Sequence, residues 1–174
     1  MKKNRILILG VIGLLTVAVS CKDEFLEVDP PGAYSEPSLQ NAKGVEGMLI
    51  AAYSALDGSW FESWGNNRFG QAGGASNWLW GSVTSDDSYK GTEPSDGVSF
   101  FQIETFIAQP NVGDFNFKWG AIYDGVGKAN AAIRNVALAG DLTEAQATRI
   151  LAEARALRAH YHFEGVKVFG RVPF

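Results

Sequence analysis

The chain has 174 residues, with 15 Lys and Arg against 19 Asp and Glu, a formal net charge of −4. Residues 1–20 hold three of those cations and none of the acids, so the remainder carries 12 cations against 19 acids, a net −7. That sign excludes a nucleic-acid binder, which needs clustered cations for phosphate, and a polybasic membrane-surface protein. The part beyond residue 20 is long enough for one modest domain. With five Trp and eleven Phe in the chain, its aromatics either work at the surface or are covered by further chain.

In chain order, residues 1–20 read first as a secretory signal peptide. Lys2, Lys3 and Arg5 form a positive start, and Ile6 to Val19 is an uncharged apolar stretch closing in Ala18-Val19-Ser20 before Cys21. The apolar run is too short to span a bilayer comfortably as a permanent helix. An ordinary cleaved signal or a short anchor is the competing reading. Cys21 is the single cysteine of the chain, so it has no intrachain disulfide partner. It stands where a lipoprotein peptidase would leave it as the new N-terminus, although Ala18 occupies the position where such motifs usually have Leu. Acylation of Cys21 would give stable anchoring, since several acyl chains hold where one is marginal. Lys22-Asp23-Glu24 resembles the Lys and two acids that follow the lipidated cysteine of surface-exposed lipoproteins in Bacteroidetes-type bacteria.

Residues 21–37 are expected to form a lipidated tether, stiffened by Pro30-Pro31 and closed by Pro37. Ser38 is placed to cap a helix whose stripe is Val45, Met48, Leu49, Ala52, Tyr53 and Leu56. Gly44 and Gly47 lower its propensity but admit a close neighbouring helix, and Asp57-Gly58 ends it. Residues 58–113 hold no long period, are dense in Gly, Ser, Asn and Asp, and contain four of the five Trp. An irregular stretch of that length tends to be functional. A short helix is expected around residues 77–83. Trp119, Ile122, Val126, Ala129, Ile133 and Val136 then step by three and four, an amphipathic helix. After Gly140-Asp141, Thr143-Glu144-Ala145-Gln146 fits a capping box. The following helix has Ile150, Ala154, Leu157, Tyr161 and Val168 on one face, with Gly170 to end it and Pro173 to prevent a restart. Two such helices form an αα-hairpin, which alone has a small core and wants stacked neighbours. Arg171 to Phe174 reads as the opening of another segment, so the chain is expected to be the N-terminal part of a longer protein.

Several residues invite a chemical reading. His160 and His162 are two apart and point about 200° apart around a helix; His160 and Glu164 share a face but lack a third ligand, so no metal is expected. Gly125-Val126-Gly127-Lys128 lacks phosphate-loop spacing and reads as close helix packing, and no cofactor is expected. Asn130, beside the stripe, either bridges the helix to a loop or is solvated. Asp86 and Asp87 would serve a glycoside hydrolase only with carboxylates at set separations across the substrate, and adjacent acids in a loop more often cap a turn. The most informative group is Trp60, Phe61, Trp64, Trp78 and Trp80. Flat aromatic faces stack on the CH faces of pyranose rings, and Asn66, Asn67, Arg68, Asn77, Asp86 and Asp87 supply hydrogen bonds for sugar hydroxyls. The alternative is that these tryptophans pin a long loop onto the helices.

The chain resembles the N-terminal portion of the SusD/RagB family of outer-membrane lipoproteins. The resemblance rests on Cys21-Lys22-Asp23-Glu24, on Asn77-Trp78 through Ser85-Asp86-Asp87-Ser88-Tyr89-Lys90-Gly91, and on Trp119, Ile122-Tyr123 and Ala129-Asn130. Its most specific block is Ala152-Glu153-Ala154-Arg155-Ala156-Leu157-Arg158-Ala159, continuing through Tyr161 to Phe169-Gly170-Arg171-Val172-Pro173. The resemblance implies a mostly α fold: tetratricopeptide-like helix pairs scaffolding a long irregular, aromatic-rich loop region. Residues 38–174 would be the truncated N-terminal region. It implies a non-catalytic, cell-surface glycan-binding lipoprotein that captures oligosaccharide and passes it to a TonB-dependent porin of the SusC type. Platform residues vary between members of that family, so Trp78, Trp80, Tyr89, Asn77, Asp86 and Asp87 are assigned to the glycan by location and chemistry. The rival functions are a docking module for the transporter without sugar contact, and a surface glycoside hydrolase.

Overall fold

The computed structural model describes residues 35–57, 78–85, 87–91, 93 and 95–174. The signal peptide, Cys21, Lys22, Asp23, Glu24, the tether up to residue 34, Trp60, Phe61, Trp64, Asn66, Asn67, Arg68, Asn77 and Asp86 lie outside the described residues. Those described from Glu36 onward belong to one unit, Glu36–Phe174. It is mostly α, with no strand among the described residues.

The first helix, α1, spans Ala42–Ser54 and tightens into a 3₁₀ turn at Ala55–Asp57. Its cap is Asn41, not Ser38: Asn41 has extended backbone, and its Oδ1 accepts from the Gly44 amide at 2.9 Å. Ser38 is caught one step earlier, in a separate 3₁₀ turn Glu36–Leu39. Its carbonyl accepts from the Asn41 side chain instead. That preceding turn also explains Gly44. A Cβ there would lie 2.2 Å from the Leu39 carbonyl oxygen, whereas one on Gly47 would meet nothing within 4 Å. In place of the expected helix-to-helix approach, Gly44 meets a turn folding back on its own helix, and Gly47 has no close neighbour.

The short helix α2 spans Val98–Glu104, and the long helices α3 and α4 span Gly113–Val136 and Glu144–Phe169. The capping box of α4 is complete. Thr143 Oγ1 accepts from the Gln146 amide, and Gln146 Oε1 accepts from the Thr143 amide at 3.0 Å. Gly170, at φ 71°, ends the helix in a conformation that favours glycine. Contacts between α3 and α4 pair Lys118 with Glu164, Gly125 with Tyr161 and Asn130 with Arg158. Numbers rise on one helix as they fall on the other, so the pair is antiparallel. Asn130 is therefore a bridge between helices, accepting from Arg158 Nη1 at 2.9 Å. α1 packs against both, and its Ala42 amide donates to Asp141 in the hairpin turn at 2.7 Å.

The periodic stripes meet over most of their length, but two of their members are exposed. Tyr53, 43% exposed, lies at the edge of α1 where its hydroxyl donates to Glu153 of α4, and Trp119 is 37% exposed. Val45, Leu49 and Ala52 of α1, Ile122, Val126 and Ala129 of α3, and Ile150, Ala154 and Leu157 of α4 are buried in one core. Tyr161 locks the three helices together. Its side chain is 1% exposed, its hydroxyl donates to the Ala52 carbonyl at 2.5 Å, and its ring fills the space where a Gly125 Cβ would stand at 2.6 Å. Gly125 is the close-packing glycine its position in the stripe predicts.

Candidate functional site

A second, smaller core lies beside the hairpin and carries the aromatic segment. Trp78–Ser82 forms a single π-helical turn, closed by the Val83 amide donating to the Trp78 carbonyl at 2.7 Å. Such turns are rare and frequent at functional sites. This one buries Leu79 together with Val83 and Ile103 and leaves Trp78 and Trp80 half-buried against them. Trp78 meets Phe100 of α2 edge-on at 5.6 Å, and Trp80 tilts onto Phe115 of α3 at 5.5 Å. From Phe115 the ring contacts run through Phe169 to Trp119 and Tyr123, the last pair 4.7 Å apart. Trp80 pins the segment to the hairpin and Trp78 pins it to α2, and both are half-buried.

Tyr89 and Asp87 turn to solvent, Tyr89 being 57% exposed. The next residue, Lys90, is buried, and its Nζ donates to the carbonyls of Glu93 and Asp96. That internal clamp holds the turn from which Tyr89 projects. Of the six residues assigned from sequence, four are described. Trp78 and Trp80 share one apolar cluster, and Tyr89 and Asp87 stand on the exposed turn that follows.

A pocket of about 290 Å³ opens where the π turn, α2, α3 and α4 converge. Trp80, Ile103, Phe106, Phe115, Lys167 and Thr84 are among its lining residues. Phe106 was invisible to pattern reading. It follows α2 with φ 58°, the one non-glycine residue with positive φ among those described, and is 78% exposed. The Phe106 amide donates to Ile103 and the Ile107 amide to Gln102, the bond pair of a Schellman motif, which usually places glycine where Phe106 stands. An aromatic ring is held at the pocket rim at the cost of backbone strain, a feature that clusters at ligand clamps.

The one charged residue of the pocket lining, Lys167, belongs to a charged cluster between α3 and α4. Lys118 of α3 is fully buried and donates to Glu164 Oε2 at 3.1 Å. Glu164 Oε1 receives Lys167. Burial pushes the Lys118 ammonium below its ordinary pKa against the opposing pull of Glu164. Burial works upward on Glu164, but the hydrogen bonds and charges of Lys167 and Lys118 outweigh it and hold the carboxyl below its usual range. The periodicity of α3 gave no sign of Lys118, because a lysine beside the apolar stripe reads as solvated. The only signal was Glu164 three residues before Lys167, a helical ion-pair spacing. The engagement of Glu164 by two lysines also removes it as a companion ligand for His160. Among the described residues no group of three His, Cys, Asp or Glu is arranged to hold a metal.

An antiparallel helix pair thus supports a pocket lined by aromatics from α3, the π turn and the end of α2. Among curated proteins, a SusD-like protein of Bacteroides ovatus is 25% identical to the chain over 172 residues, 98% of this chain and 28% of that protein. The chain is thus similar to a SusD-like protein over nearly its whole length, and it spans little more than a quarter of that relative's length. No family model matches the chain, and no solved structure matches it.

Proposed function

We propose that the protein is a glycan-capture lipoprotein of the outer-membrane surface, anchored through lipid on Cys21 and working with a TonB-dependent, SusC-like transporter. The observation that carries this reading is the aromatic pocket. Trp80 and Phe115, packed on each other, and the exposed Phe106 line it, and the site rests on α3 and α4 as well as on the loop segment. Rings of this kind stack on sugar CH faces without a large ordering cost, because two of the three are already packed. Trp78, Tyr89 and Asp87 extend the contact surface for a longer oligosaccharide. Among the described residues no helix is long and apolar enough to cross a membrane.

Calorimetric titration of the full-length protein against a panel of plant, host and microbial oligosaccharides tests the proposal. Binding of at least one glycan, weakened in Trp80→Ala and in Phe106→Ala, is expected. A folded protein that binds none overturns it. The second reading, a docking surface for the transporter, is favoured by the exposure of Val98, Phe101, Phe106 and Ile107. Co-purification of the transporter separates the two. Trp78→Ala and Trp80→Ala that lose the transporter yet keep sugar support docking.

A further inference from the structure

The pocket has a charge preference built into its wall. One lining residue, Lys167, belongs to a cluster of three charged groups, the ammoniums of Lys118 and Lys167 and the carboxylate of Glu164 between them. One positive charge is left over. Lys118 is wholly buried and satisfies one Glu164 oxygen, so the surplus falls on Lys167, whose side chain is 32% exposed and which itself lines the pocket. Its Nζ also lies 5.4 Å from the Phe163 ring centroid, where cation–π attraction helps hold it beside the helix. The pocket lining among the described residues contains no carboxylate, and its other polar side chain is Thr84. The surplus is therefore local, set within a chain that is net negative beyond residue 20.

Shape narrows the choice further. A cavity of about 290 Å³ lies near the lower end of ligand pockets, which run to about 1,000 Å³. It has room for one ring of a chain rather than several. Three aromatic residues and one lysine in the lining ask for a ring with apolar faces and an anionic substituent. We infer that this pocket takes an acidic sugar unit, a pyranose bearing a carboxylate or a sulfate ester, with its ring against Trp80, Phe115 and Phe106 and its anion on Lys167. The inference rests on the glycan-capture reading and names the chemical class captured at that site.

Titrating the full-length protein with oligogalacturonate, with the same oligomer as its methyl ester, and with a sulfated chondroitin oligosaccharide tests it. Acid and ester share the sugar backbone and differ in charge. The acid or the sulfated sugar should bind at least about tenfold more tightly than the ester, the scale of a hydrogen bond to a charged group. Binding of oligogalacturonate alone assigns a carboxylate, and binding of the sulfated sugar alone assigns a sulfate ester. Lys167→Met should abolish the preference, while Glu164 remains neutralised by Lys118. Lys167→Arg should restore most of it. The wild-type acid-to-ester ratio decides the matter even if the Met variant folds poorly. Equal affinity for acid and ester, or a preference that survives Lys167→Met, overturns the charge assignment while leaving glycan capture intact. A folded protein that binds no glycan of any charge sinks both.

Discussion

Phe106 offers a sharp test of whether the pocket rim is held under strain. A left-handed conformation costs an L-residue about 1–2 kcal/mol, and glycine is free of that cost but loses about 0.5–1 kcal/mol through its greater freedom in the unfolded chain. The glycine variant should therefore be more stable than the alanine variant by about 0.5–1 kcal/mol. The ring contributes little on the other side, because Phe106 is 78% exposed. Burying a whole Phe side chain is worth about 1.5–3 kcal/mol, so the buried fifth contributes about 0.5 kcal/mol. Phe106→Ala, which keeps the strain and loses the ring, should fall about 0.5 kcal/mol below wild type. Phe106→Gly should equal or slightly exceed wild type. Urea unfolding followed by tryptophan fluorescence orders the three proteins, provided the slopes match. Both variants should lose glycan affinity together, since both lack the ring. A glycine variant less stable than the alanine variant would refute the strained turn. A glycine variant that binds sugar as wild type does would remove Phe106 from the site.

The Lys118, Glu164 and Lys167 cluster predicts an asymmetry. Glu164→Gln leaves the buried Lys118 ammonium without a counter-charge and should cost about 3–5 kcal/mol, whereas Lys118→Met leaves Glu164 paired with Lys167 and should cost less; thermal unfolding checks the order. Because the folded Glu164 carboxyl is held below its usual range, its stabilisation is complete above the ordinary carboxylate range. It is lost as pH falls through the depressed value. The acid limb of the stability profile should therefore flatten in Glu164→Gln, and an unchanged limb would remove Glu164 from the account. Gly125→Ala places a methyl where the Tyr161 ring lies. It should cost about 1–3 kcal/mol by overpacking, measured by urea midpoint against a Gly127→Ala control, whose added Cβ meets nothing within 4 Å.

What was legible in the sequence was what depends on period and caps. The steps through Ile122, Val126 and Ala129, and through Ile150, Ala154 and Leu157, report faces that are buried together. The Thr143 to Gln146 box is a local motif that needs no tertiary information. Local choices between near-equivalent polar residues were harder. Ser38 and Asn41 are both good caps, and the 3₁₀ turn containing Pro37 decided between them. α2 has only seven residues, too few to establish a period. The site was legible as a concentration of aromatics around Trp78 and Trp80, but its other walls come from distant segments. Phe115 lies one turn before the first residue, Trp119, of the α3 stripe, Lys167 is more than eighty positions from Trp80, and Phe106 occupies a turn position that usually holds glycine.

Retention of a fluorescent oligosaccharide on intact cells tests the central claim most directly, comparing wild type with Cys21→Ser and with Trp80→Ala. Cells with the wild-type protein should hold the label and release it after external protease. Both variants should hold less, the first for want of an anchor and the second for want of a pocket wall. Equal labelling of all three strains, or wild-type labelling that survives protease, would contradict a lipid-anchored protein that captures glycans at the cell surface.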